Sequence, residues 1–159
     1  MSSSHSTALA KVEDRLTRFA ADPTWQRLWL SLESQNWRSL AIVPAGETSS
    51  IDLVHALAAV AWHQRSTSVI VADLRTIGLP TLATAREELR RRVGGGDRVL
   101  IGMNSLEVNP TSATIARDAD KAVLCVFLGR TSRAQLRDTV RELGIQRCLG
   151  SIVIRTNGR

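Results

Sequence analysis

The sequence predicts an α/β protein: a doubly wound, mainly parallel sheet of about five strands with helices preceding it. Short, unbroken apolar runs recur along the chain (SLAIV, SVIVA, RVLIG, AVLCVFL, GSIVI). Strands that are apolar on both faces belong to a sheet covered on both sides, which is the parallel case. Segments of helical periodicity separate these runs, and turn or capping residues mark the junctions. The 159 residues are enough for one full core. The organisation expected is a tail over residues 1–6 followed by a single domain over 7–159.

A first helix is expected from Thr7 to Ala20, with Leu9, Val12, Leu16 and Phe19 near helical spacing. Asp22 and Pro23 then read as an N-cap followed by proline at the first helical position. The helix they open carries Trp25, Leu28, Trp29 and Leu32, a large apolar face able to pack on its own domain or on another subunit. Ser39–Val43 is the first strand. Ile51–His63 is apolar nearly all round, as for a helix laid on a sheet and covered again. Ser68–Ala72 is the second strand, running into Asp73-Leu-Arg75. Thr81–Val93 is an amphipathic helix closed by Gly94-Gly-Gly96. Arg98–Gly102, a helix from Thr111 to Arg117, Ala122–Leu128, a helix from Ser132 to Leu143, and Gly150–Ile154 complete the pattern.

Ligands of such sheets bind beyond the carboxyl ends of the strands. That rule selects the loops Pro44–Ser50, Asp73–Pro80, Met103–Pro110 and Gly129–Ser132. In the first of them, Val43-Pro-Ala-Gly-Glu-Thr-Ser-Ser50 lies between strand and helix, where a phosphate-binding loop is placed. Such a loop needs small residues, a lysine for the phosphates and a hydroxyl for Mg²⁺. Gly46 and the hydroxyls of Thr48, Ser49 and Ser50 are present, and no lysine is.

Composition narrows the function classes. The 21 basic against 15 acidic residues give a formal charge of +6, and only Lys11 and Lys121 of the basic set are lysine. The arginines are spread along the chain without a basic arm, so nucleic acid is not the expected partner. Cys125 and Cys148 lie in or beside apolar runs without metal-ligand spacing and read as reduced, buried thiols. His55 and His63 have no metal-type partner nearby in sequence, and no metal site is expected. With no apolar leader and no long apolar run, a cytoplasmic protein is expected, reaching the inner membrane only through a partner.

Several segments together resemble one family, the cytoplasmic P-loop ATPase domain of bacterial tyrosine kinases of capsule and exopolysaccharide synthesis. That family is related to the cell-division and chromosome-partition ATPases. Thr24-Trp-Gln-Arg-Leu-Trp-Leu-Ser-Leu32 resembles the helix before the P-loop strand. Val71-Ala-Asp-Leu-Arg75 is similar to a motif of the form D-A-D-L-R, and Asp97–Gly102 to a strand ending in a magnesium-side aspartate. Ala116–Leu124 with Gly129-Arg-Thr-Ser-Arg133, and Leu149–Ile154, resemble the fourth and last core strands.

The departures fall on the chemistry that the resemblance implies. Thr48 stands for a glycine, Ser49 for the lysine, Val71 and Gly102 for aspartates, and Arg155 for an asparagine near the base. Pro23, Gln26 and Trp29 replace the family's E-x-x-R-x-x-R oligomerisation motif, and the chain has no tyrosine to phosphorylate. Phosphoryl transfer rests on positioning and charge stabilisation, and one lost electrostatic partner costs about 3–4 kcal/mol. The resemblance therefore implies a degenerate member, neither ATPase nor kinase, for which ATP and Mg²⁺ are not expected cofactors.

On this reading Gly46, Ser49, Ser50 and Asp73 form the remnant of the phosphate site. Ser49 and Ser50 either hold an anion or cap the helix from Ile51. Asp73 either serves a magnesium-bound water or caps a turn beside Arg75. Trp25, Trp29, Arg130 and Arg133 are the candidate interaction residues, the arginines either gripping a phosphate or carboxylate or standing in solvent. The expected partner is a protein: the cytoplasmic segment of a polysaccharide chain-length or export protein, an active homologue, or a second copy. The alternatives are a partition-like nucleic-acid module and a nucleotide binder without hydrolysis.

Overall fold

The computed structural model describes residues 14–15, 17–46, 48–64 and 69–155. The expected tail at 1–6 and residues 7–13 and 16 of the helix expected from Thr7 to Ala20 lie outside them; residues 14–15 and 17–20 are helical as anticipated, and residue 21 continues the helix. In chain order the elements are α1 (Pro23–Glu33), β1 (Ser39–Pro44), α2 (Ile51–His63), β2 (Val69–Asp73), α3 (Leu79–Gly94), β3 (Arg98–Gly102), α4 (Thr111–Asp118), β4 (Lys121–Leu128), α5 (Arg133–Leu143) and β5 (Cys148–Arg155). The five strands form one sheet in the order β2-β3-β1-β4-β5. Every pairing is parallel, so the sheet is wholly and not mainly parallel. The arrangement is the doubly wound, P-loop-like α/β fold expected.

Local chemistry sets the element ends. Asp22 caps α1 by accepting from Thr24 N–H at 2.8 Å, with Pro23 at the first position. Ser132 and Gln135 cap α5 reciprocally, Gln135 N–H donating to Ser132 Oγ at 3.1 Å and Ser132 N–H to Gln135 Oε1 at 2.9 Å. Two boundaries differ by two residues from the sequence expectation. α3 starts at Leu79, because Gly78 is extended and donates its N–H to Thr81 Oγ1 at 3.3 Å. Thr81 is thus inside the first turn. β5 starts at Cys148, because α5 ends at Gly144 with φ 85° and a 3₁₀ turn over Ile145–Arg147 leads straight into the strand.

β1 is central and buried throughout, and its alternating side chains build two cores. Leu40 and Ile42 face a cluster with Trp29, Leu32, Leu53, Leu57 and Val60 of α1 and α2. Ala41 and Val43 face Ala113, Ile115 and Ala116 of α4, with Leu89 of α3 and Leu136 of α5 packed against that cluster. α1 and α2 thus cover one face, and α3, α4 and α5 the other. At the amino ends of the strands, Asp120 Oδ2 accepts from Arg38 N–H at 2.7 Å and Ser39 N–H at 3.1 Å, locking β1 to β4.

Trp29 is fully buried, 6.2 Å from the Trp37 ring in an edge-to-face contact. Trp37 donates Nε1–H to Leu32 O at 2.7 Å, and the Arg98 guanidinium lies 3.9 Å from its ring centre. The tryptophan face of α1 is therefore satisfied within this chain at Trp29. Trp25 is half-buried against Phe19, with ring centres 4.9 Å apart. α2 departs from the all-round burial expected of it, because Trp62 near its end is 82% exposed.

Candidate functional site

The switch of chain direction around β1 brings three loops together at the carboxyl ends of β1, β2 and β3. β1 is followed by α2 on one face, whereas β3 is followed by α4 on the other, so a crevice is expected there. Here the chain closes the crevice. Ser49 makes an antiparallel bridge with Asn104, and Ser105 N–H donates to Thr48 O at 3.0 Å. Ser50 N–H donates to Met103 O at 3.0 Å. The Ser50 hydroxyl accepts from Met103 N–H at 3.0 Å and donates to Met103 O at 3.3 Å. Ser50 is wholly buried.

This differs from the capping reading of Ser50. Its side chain makes no capping bond to α2 and instead pairs across to the residue after β3. Ser49 Oγ does accept from Ile51 N–H at 3.2 Å, which is the capping role anticipated for the pair. Two of the N–H groups that a phosphate loop offers an anion, those of Ser50 and Ile51, are thereby satisfied internally. Thr48 Oγ1 is buried without a partner among the described residues. Glu47 lies outside the described residues.

Sterics point the same way as the hydrogen bonds. A Cβ on Gly102 would stand 2.6 Å from Ile51 Cδ1, 3.3 Å from Ile51 Cα and 3.5 Å from Val54 Cγ2. A side chain at 102, where the resemblance has an aspartate, would therefore require the Ile51 side chain to turn aside and the first turn of α2 to give by a few tenths of an ångström. Gly46, with φ 102°, takes a conformation natural only to glycine. A Cβ there would lie 3.2 Å from Gln135 Oε1. Gln135 Nε2–H in turn donates to Glu107 Oε2 at 3.1 Å. A cavity of about 110 Å³ beside Gly46 is lined by Glu107, Asp138 and Glu142, a sign of charge that repels an anion.

Asp73, at the end of β2, takes the turn-capping role. Its carboxylate accepts from Arg75 N–H at 3.2 Å and forms a two-pronged pair with the Arg75 guanidinium at 2.9 and 2.8 Å. The Arg75 guanidinium holds the carboxyl below its ordinary range. The loop carrying this pair is tied to the loop after β3: Asn104 Nδ2–H donates to Arg75 O at 3.1 Å, Asn109 Nδ2–H to Ile77 O at 2.8 Å, and Thr111 Oγ1–H to Ile77 O at 2.7 Å. Thr131 Oγ1–H donates to Ala45 O at 2.8 Å and fastens the fourth loop.

The structure thus brings Gly46, Ser49 and Ser50 into one closed cluster, with Asp73 on a neighbouring loop tied to it. Arg130 and Arg133 stand apart at the carboxyl end of β4, both exposed, and neither guanidinium has a partner among the described residues. Met103, Asn104, Asn109 and Gln135 escaped the sequence reading. An asparagine pair after a strand end was a signal for loop ties; Met103 acts through its backbone and carried none. Burial pushes the Cys125 thiol up to about 12, and it raises that of Cys148 as well.

Among the described residues no cluster of histidine, cysteine and carboxylate side chains is placed to hold a metal. No helix among them is long and apolar enough to cross a membrane. Compared with known proteins, the chain matches no family model and no curated sequence.

Proposed function

We propose that this chain is a non-catalytic relative of the exopolysaccharide tyrosine-kinase ATPases that works by binding another protein. The observation that carries the reading is the packing of Ile51 against Gly102, which sets apolar atoms where a magnesium-side carboxylate would stand. The reciprocal bonding of Ser50 with Met103 supports it, because the hydroxyl that would bind the metal is spent inside the fold. Loss of catalysis with retention of a well-packed sheet is what a scaffold retained for its surface would display. The partner proposed is the cytoplasmic segment of a polysaccharide chain-length or export protein, or an active homologue.

Calorimetric titration with ATP, with and without Mg²⁺, tests this reading. No heat of binding at millimolar nucleotide is expected, and micromolar affinity would sink it. The partition-like alternative draws on the guanidinium groups of Arg130 and Arg133, which have no partner among the described residues; it requires DNA affinity that falls steeply with salt.

A further inference from the structure

The geometry points to the free edge of β5 as a docking site for an acidic, extended segment of a partner protein, which adds as a further strand beside a row of arginines. β5 is an edge strand of eight residues, and its outer backbone groups have no sheet partner among the described residues. An open edge of this length is a ready template for another strand. α1 lies over one face of β5, where Leu28, Leu32, Leu149 and Ile152 line a cavity of about 180 Å³ beside one core cluster. On the other face α5 stops short of the edge, because Ser151, Val153 and Arg155 are exposed, Val153 by 56%.

The charge beside that edge has one dominant sign. Asp138 and Glu142 of α5 turn toward the Gly46 loop, and the Glu142 carbonyl oxygen accepts from Arg117 Nε–H, next to α4. Leu136, Val140 and Leu143 face the sheet. Successive helix residues turn by about 100°, so Arg133 and Arg137 fall on the flank away from α4, on the side of β5, with Arg137 Nε–H reaching Asp138 Oδ1 at 3.3 Å. Arg155 closes the strand itself, opposite Leu128 of β4, with Arg130 in the loop just beyond. Asp138 pairs weakly with Arg137 and Arg141 at 3.3 and 4.0 Å, all three well exposed.

Two observations choose the occupant. A second copy pairing through β5 would run antiparallel about a two-fold axis and leave both arginine rows without a counter-charge, whereas an acidic segment supplies one. A nucleic acid would meet the arginines but could not continue the ladder, whereas an acidic strand uses both the edge and the charge. The opposite edge, β2, has five residues and ends at Asp73, whose charge Arg75 cancels. The inference rests on the binding reading above only in taking a protein as the partner. Nucleotide titration examines the loop after β1 and the experiment below examines β5, so either can fail alone.

The test is fluorescence anisotropy with a labelled synthetic peptide of alternating glutamate and valine. Parallel measurements use the same peptide N-methylated at alternate amides, and oligothymidylate as competitor. Binding of the unmodified peptide is expected, weakened about tenfold by N-methylation, since each ladder bond contributes modestly and several are lost. The exposed double variant Arg133→Glu/Arg137→Glu, with unchanged circular dichroism, is expected to weaken it about tenfold as well. Absence of peptide binding, equal binding of the N-methylated peptide, or no effect of charge reversal overturns the proposal. Displacement of the peptide by oligothymidylate does so too, as does a dimer in sedimentation that excludes the peptide.

Discussion

Ile51 and Gly102 pack in direct contact: a Cβ on residue 102 would stand 2.6 Å from Ile51 Cδ1 and 3.3 Å from Ile51 Cα. Gly102→Asp is therefore expected to destabilise the fold by about 3 kcal/mol or more, combining overpacking with a carboxylate buried among apolar groups. Urea denaturation measures the loss. Ile51→Ala in the same chain should return part of it, and strict additivity of the two substitutions would refute the contact as the cause.

Hydroxyls two positions apart in the first loop should respond with opposite signs. Ser50→Ala removes both bonds to Met103 and leaves a buried N–H without its acceptor, at a cost of about 1–3 kcal/mol. Thr48→Val keeps the shape and removes a buried hydroxyl that has no described partner, so a gain of up to about 1 kcal/mol is expected. Thermal melts of the two variants decide the matter, and a loss from both would contradict the assigned roles.

Tryptophan substitutions separate core from surface. Trp29→Ala empties a site at 0% exposure and should cost about 3–5 kcal/mol. Trp62→Ala, at 82% exposure, should change stability by no more than about 0.5 kcal/mol. Acrylamide quenching should lose its most accessible component in the Trp62 variant, with Trp29 emission shielded.

The Asp73–Arg75 pair gives an acid dependence of known sign. Because the folded pKa of Asp73 is depressed by the Arg75 hydrogen bonds, the unfolded chain binds more protons in the acid range. The pair's stabilisation is therefore complete above the ordinary carboxyl value near 3.8 and is lost as pH falls through the lower folded value. Both side chains are more than two-fifths exposed, so the effect is at most about 1 kcal/mol. Asp73→Asn should flatten the acid limb of the stability curve, and a steeper limb would reverse the sign argued here.

Thiol chemistry should distinguish the two cysteines. Cys125 is fully buried with its thiol pushed up to about 12, and the thiolate is the reactive form. At neutral pH a disulfide reagent is expected to modify Cys148 alone in the folded protein and both after unfolding. Rapid labelling of Cys125 in the folded Cys148→Ser variant would contradict its burial.

The strands were legible because each is a continuous apolar run, which is what double coverage of a parallel sheet demands. The capping of α1 by Asp22 and Pro23 was legible for a similar reason, since few residues can fill those positions. Burial of Trp62 was misjudged because helical periodicity says which side chains share a face and not whether anything covers it. In the loop after β1, the lack of a lysine could be read directly from the chain. The closure by Met103 could not, because a backbone N–H and C=O are common to nearly every residue. Asp73 pairing with Arg75 lay within reach, their spacing being local.

The sheet order carries a temporal consequence. β1, the most thoroughly buried strand, pairs with β3 and β4, and its first rung joins Ser39 to Val99. During synthesis at about 5–20 residues per second, the Ser39–Pro44 segment emerges and waits several seconds for its nearest partner to be made. Six adhesive residues stand without a neighbour through that interval, while β2 also awaits the strand that will separate it from β1. The molecule is therefore most exposed to misassociation early in its manufacture, and chaperone demand should fall once β3 leaves the ribosome.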